Sequence, residues 1–171
     1  MIKIAYSGSL GGFDPKASIK KNTGFLRKWF WTFKNDIVDA STRSGYYLIQ
    51  AIKILKYNYQ IQPDSLQVSW WGKINPLNLK QVAEENLNAY FVHVGYLPKQ
   101  ESLKRMAEAD ILFLPLEKSN VSGQGTLFIP GKLYEYLNTG KPVLALCEPS
   151  DCKMILEQSG LGIFAPPDNP H

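Results

Sequence analysis

Apolar positions along the chain fall into short runs of strand length, separated by stretches whose apolar residues recur at helical spacing. Segments 2–6, 66–71, 90–94, 111–114, 142–147 and 162–165 read as six strands. The run at 142–147 is continuously apolar, which suits a parallel strand covered on both faces. Between the strands, 44–57 places Leu48, Ala51, Ile52 and Leu55 on one helical face. Segments 77–87, with Leu79, Val82 and Leu87 inward, and 99–109 read as further helices. Pro130-Gly131 opens a short helix with Leu133, Tyr134 and Leu137 on its apolar side, and Gly140 ends it in the left-handed position. Ser150 or Asp151 caps a last helix that runs to Gln158 and is closed by Gly160. Strand and helix in alternation predict an α/β fold: a doubly wound, parallel, six-stranded, Rossmann-like sheet with helices on both faces. Ligands of such sheets bind outside the carboxyl ends of the strands. Those ends are the turn at Gly8, Gly72, Gly95-Tyr96, the loop after Leu114 and the region after Leu146, with 117–124 read as a polar loop.

The first crossover is too long. Some thirty residues separate the first strand from helix 44–57, where such a loop usually has about 2–6. The excess, about 14–43, is an insertion. Within it, segment 23–38 carries Leu26, Trp29, Phe30, Phe33 and Ile37 at helical spacing, with Arg27, Lys28 and Lys34 off the stripe and Thr23 as a candidate cap. An amphipathic helix there has three readings: it packs on its own domain, on a partner domain, or on an anionic membrane surface.

Composition narrows the class. At 171 residues the chain is read as one domain with a sizeable core, and 44% hydrophobic with 20% charged residues reads as a soluble globule. No apolar run reaches the ~18 residues of a membrane span, and residues 1–6 lead into a strand rather than a secretory leader. The expected place is the cytoplasm, with peripheral contact at the inner membrane face as a further option. Two cysteines, Cys147 and Cys152, are too few for a disulfide framework or a zinc site and read as reduced thiols. His93 lies within a strand without a second candidate ligand and reads as structural, so no metal is expected. The net charge of +4 is uneven. Residues 1–60 hold ten Lys and Arg against three acids, and the remainder nine against twelve. A basic first third suits phosphates or an anionic surface. Nucleic acid is not expected, because no basic-aromatic platform motif is present.

Candidate chemistry lies at two places. Turn 7–12, with Gly8, Ser9, Leu10 and Gly11, could bring backbone N–H groups to a phosphate. It is not G-x-G-x-x-G, and a plain glycine loop is the alternative. The second place is the start of the helix after Gly131, where free N–H groups and Lys132 suit phosphate, with Leu133 beside them and Glu135 three residues on.

The stretch F-I-P-G-K-L-Y-E-Y-L-N-T-G-K-P-V-L-A-L resembles the donor-site signature of retaining glycosyltransferases of the GT-B fold, family 4. The resemblance implies that the chain is the second, donor-binding half of such an enzyme, and that the N-terminal acceptor domain lies outside this chain. It implies a UDP- or GDP-linked sugar as donor, a glycan or lipid-linked acceptor, and hexosyl transfer with retention, with no cofactor beyond the donor. The fragment alone is expected to be inactive, its catalytic groups lying outside it. Glu135 then holds the ribose hydroxyls, since one carboxylate accepts two hydroxyl donors. The family's second Glu, eight positions earlier, is Leu127 here. The donor diphosphate lies against the Gly8 turn. R-S-G-Y-Y-L-I-Q-A-I puts Arg43 where many members carry a phosphate-neutralising Lys, and Ser9 replaces the usual basic residue of the turn. Tyr96 and Leu97 sit where the nucleobase packs, either stacking on it or closing the core. Two other readings are a nucleotide-binding module without catalysis and a GT-B-type sugar-nucleotide epimerase, whose acid/base pair is not found.

Overall fold

The computed structural model describes residues 1–15, 38–119, 126 and 128–170. The amphipathic stripe at 26–37 and Leu127 lie outside the described residues. The strands are β1 (Ile2–Ser7), β2 (Val38–Asp39), β3 (Leu66–Trp71), β4 (Phe91–Gly95), β5 (Ile111–Pro115), β6 (Lys118–Ser119), β7 (Val143–Leu146) and β8 (Gly162–Ala165). The helices are α1 (Tyr46–Asn58), α2 (Pro76–Glu84), α3 (Lys99–Glu108), α4 (Lys132–Asn138) and α5 (Asp151–Ser159).

Six strands form one parallel sheet in the order β4-β3-β1-β5-β7-β8. The chain steps outward from β1 through β3 to β4, then returns to the other side of β1 for β5, β7 and β8. Neighbouring strands whose connections leave in opposite directions open a crevice at their carboxyl ends, and here that switch point is β1/β5. Side chains alternate across the sheet and bury two cores. On one face Ile4, Tyr6, Val68, Trp70 and Phe113 pack under Ile49 and Ile52 of α1 and Val82 of α2. On the other, Ala5, Trp71, Leu112, Leu114 and Ala145 pack under Met106 of α3, Leu133 and Tyr136 of α4, and Leu156 of α5. Among the described residues no helix is long and apolar enough to cross a membrane.

The fold class is the one the pattern predicts, with local corrections. Segment 117–124, read as a loop, contains β6, which pairs antiparallel with β2. A two-residue ladder is too short to show a period in the sequence. The third strand of the large sheet begins one residue later than read, because Tyr90 serves as a turn, its N–H donating to the Leu87 carbonyl. Helix 77–87 starts earlier, at Pro76, where Asn75 accepts the Leu77 N–H, and ends before Asn86, whose φ is +55°. His93, read as structural, is exposed, since β4 is the sheet edge. Both cysteines are free and buried.

Candidate functional site

Three neighbouring strands end in glycines that lock together. The Gly8 N–H donates to the Trp71 carbonyl at 3.0 Å, and the Gly72 N–H to the Gly95 carbonyl at 2.8 Å. Gly72 runs at φ +105°, and a Cβ there would stand 2.4 Å from the Gly8 carbonyl oxygen, so only glycine fits. Beyond Gly8 the turn is tied into the fold. The Leu10 N–H donates to the Lys73 carbonyl and the Gly11 N–H to the Arg43 carbonyl, while Asn78 Nδ2 holds the Gly11 oxygen. Expected to offer N–H groups to a phosphate, Gly8, Leu10 and Gly11 instead spend them on backbone carbonyls, and the Leu10 side chain is core. Ser9 is the exposed residue between them.

The start of α4 differs from expectation in part. The Leu133 N–H donates to the Pro130 carbonyl and the Tyr134 N–H to that of Gly131, so the Pro130-Gly131 turn satisfies both. Leu133 is fully buried in the second core. The side chains of α4 carry the chemistry. Lys132 Nζ donates to Tyr6 Oη at 2.7 Å and to the Ser7 carbonyl at 2.9 Å, and lies 4.0 Å from the Tyr6 ring centroid. Tyr6 Oη in turn donates to the Ser9 carbonyl. Burial first, and the like charge of Arg43 second, lower the Lys132 pKa to about 7, with Glu135 opposing. Burial raises the pKa of Tyr6, against the pull of Arg43.

Arg43 reaches the same place from ahead of α1. Its Nη1 stands 3.3 Å from Glu117 Oε1, and its guanidinium lies 5.6 Å from the Phe128 ring centroid. Thr42 Oγ1 donates to the Leu116 carbonyl at 2.8 Å, pinning the approach to α1 against the end of β5. Glu135, half-exposed, faces Lys99 at 3.7 Å. Lys99 opens α3 directly after Tyr96-Leu97-Pro98, so this pair brings Glu135 toward that segment. Tyr96 is 87% exposed, whereas Leu97 packs on the second core.

The fold therefore puts Ser9 and Lys132 on Tyr6, ties Arg43 to the same turn through Gly11 with its guanidinium on Glu117, puts Glu135 one turn along α4, and leaves Leu10 and Leu133 in the cores. Sequence reasoning missed Tyr6, Ser102 and Tyr136. The Ser7 N–H donates to Tyr136 Oη at 3.2 Å, Ser7 Oγ meets Ser102 Oγ at 3.0 Å, and Trp71 Nε1 donates to Ser102 Oγ at 2.7 Å. The available signal was a hydroxyl-bearing aromatic residue, Tyr6, directly before the glycine turn at the end of the first strand.

No protein-family model and no curated protein matches the chain. Among solved structures the chain is similar to HepE of Anabaena, solved in complex with UDP, at a TM-score of 0.52 and 17% identity. The match covers 96% of this chain and 35% of HepE, so the chain spans little over a third of that protein's length. A second HepE structure, with UDP and glucose, matches at 0.52 and 16% over the same shares. The chain is also similar to the C-terminal domain of a glycosyl transferase group 1 family protein, LpcC, from Francisella tularensis: TM-score 0.49, 12% identity, 99% of this chain and 69% of that one. At 16–17% identity the likeness to HepE is one of fold.

Proposed function

We propose that the chain binds a nucleoside-diphosphate sugar at the carboxyl edge of its sheet and is the donor-binding half of a GT-B glycosyltransferase of the family 4 type. One observation carries the reading. Two cationic residues from distant parts of the chain meet the turn that ends β1: Lys132 Nζ donates to the Ser7 carbonyl and the Arg43 carbonyl accepts the Gly11 N–H, with the half-exposed carboxylate of Glu135 one helical turn along α4. The presence of UDP in the similarly folded HepE agrees with it.

In this reading the diphosphate lies over Ser9 between Arg43 and Lys132, Glu135 takes the ribose diol, and the base stacks on Tyr96. Arg43 must leave Glu117 and Glu135 must leave Lys99. The Lys99–Glu135 pair is solvent-exposed and contributes only about 0–1 kcal/mol, while the Arg43–Glu117 pair is partly buried and its release is met by the incoming phosphate charge. As the sugar departs, negative charge grows on the diphosphate, and cations fixed in place stabilise it without reorganising. The bond formed is a glycosidic bond to a glycan or lipid-linked acceptor, with retention, the acceptor being held by a second domain. UDP and GDP donors both fit this description.

Titration calorimetry with UDP, UMP and uridine, repeated with the guanosine series, tests it. Glu135→Ala weakens all nucleotides and the nucleoside by about 1.5–3 kcal/mol, the worth of a charged hydrogen bond. Arg43→Ala weakens UDP far more than uridine, and the difference shrinks at high salt. An unchanged affinity in a folded Glu135→Ala protein would take the reading down.

A further inference from the structure

Lys132 is held in an arrangement unusual for a lysine. Its nitrogen donates to two neutral oxygens, Tyr6 Oη and the Ser7 carbonyl. The Tyr6 hydroxyl hydrogen is already directed to the Ser9 carbonyl, so Tyr6 acts toward Lys132 as an acceptor. A Cβ on Gly8 would come within 2.9 Å of Nζ, so the backbone closes one side. Among the described residues no carboxylate lies within ion-pair distance of Nζ. Of the charged groups around it, Arg43 adds like charge and faces Glu117, while Glu135 on the same helix turns to Lys99 at the start of α3. Tyr136, also on α4, gives its Oη to the Ser7 N–H.

The hydrogen count then matters. A neutral amine has two N–H donors and a lone pair, whereas an ammonium has three donors and no acceptor. Tyr6 Oη and the Ser7 carbonyl consume two donors. In the neutral form the remaining direction carries a lone pair, which repels an anion. In the charged form it carries an N–H, which binds one. Burial and Arg43 bring the group to a pKa of about 7, against roughly 10.4 for an ordinary lysine, so both forms are accessible near neutrality.

We propose that this edge takes up its phosphate anion together with one proton, Lys132 Nζ changing from amine to ammonium as the anion seats between it and Arg43. The inference rests on the reading of this edge as a diphosphate site, and names how that site is regulated. The proton comes from solvent, no covalent bond other than N–H forms, and the new N–H points at a phosphate oxygen. Affinity therefore falls as pH rises above 7.

The test is calorimetry of the 171-residue chain with UDP and with inorganic pyrophosphate, in buffers of differing ionisation enthalpy at pH 8, using wild type, Lys132→Arg and Lys132→Met. Arginine stays charged, so Lys132→Arg serves as the reference for protonation of the ligand itself. The expected result is that wild type takes up close to one proton per ligand more than Lys132→Arg. Its affinity relative to that variant falls by about tenfold per pH unit between pH 7.5 and 9, as single-proton linkage requires. Lys132→Met binds weakly and shows no such slope. Proton uptake with pyrophosphate, but UDP binding no tighter than pyrophosphate, keeps the proton-linked anion site and removes the nucleotide reading. Equal heats in all buffers for wild type and Lys132→Arg, or binding of neither ligand, overturns the inference. Should the variants fail to fold, nitrogen-15 lysine NMR of wild type decides it. Nζ should titrate near pH 7 when free and stay ammonium through pH 8.5 with pyrophosphate, and an unchanged titration overturns the proposal.

Discussion

At Gly72 the backbone runs at φ +105°, and a Cβ there would stand 2.4 Å from the Gly8 carbonyl oxygen. Gly72→Ala therefore meets both an unfavourable backbone and a rigid neighbour, and should cost on the order of 2–3 kcal/mol by urea unfolding. Because the contact is with Gly8, the same variant should also weaken UDP binding. Lys132 makes a separate prediction about pH. Its folded pKa of about 7 lies below the unfolded value, so between those values the unfolded chain binds more protons and stability rises with pH. From pH 7 to 8.5 wild type should gain about 1–2 kcal/mol over Lys132→Met, read from parallel unfolding curves. Above that window the buried Cys147 and Cys152, raised to about 11 and about 12, lower the stability of both proteins alike, because the unfolded thiols ionise first. A constant difference between the two proteins from pH 7 to 8.5 would show that Lys132 titrates normally. Both residues were visible in the sequence, Gly72 as a strand end and Lys132 as a cation in a motif. What each touches was not.

Helix α4 has seven residues, too short to be stable by itself, and it persists because Leu133 and Tyr136 are fully buried against β5 and β7. Tyr136 Oη also takes the Ser7 N–H, so the helix that carries Lys132 and Glu135 is fastened to the end of β1. Tyr136→Phe leaves that N–H without its partner and should cost about 1–2 kcal/mol of stability. It should also weaken UDP binding, since Ser7 holds Lys132 through its carbonyl. Ser150→Ala offers the contrast. Ser150 Oγ accepts the Lys153 N–H at the start of α5, and its loss should lower stability by about 1 kcal/mol while leaving UDP affinity unchanged. A drop in affinity equal to that of Tyr136→Phe would mean that UDP binding follows global stability and not the Ser7 fastening. The cap was legible because Ser150 precedes a periodic run. The Tyr136 fastening joins residues 129 apart, and no local pattern carries it.

For the whole molecule, the proposed reading expects this chain alone to bind UDP and transfer no hexosyl group from UDP-glucose to any added acceptor. Product formation by the purified chain, followed by mass spectrometry, would show that it needs no second domain. The resemblance named Arg43, Lys132 and Glu135 as candidates, while the sequence by itself determined the alternation of strand and helix, the parallel sheet, the glycines that end β1, β3 and β4, and the cap of α5. These follow from local causes: side-chain period, backbone freedom and hydrogen-bonding type. Only the tertiary structure decided the use of those residues. Strand order set β4 at an edge and so exposed His93, and it set β1 beside β5 and so fixed the switch point there. The extension of the sheet past Gly8 took up the N–H groups of Leu10 and Gly11. Lys132 met Tyr6 across 126 residues of chain, in a setting with two neutral acceptors and a neighbouring guanidinium. A lysine's charge depends on the groups the fold puts around it, and those groups come from strands and helices that share no pattern in the sequence.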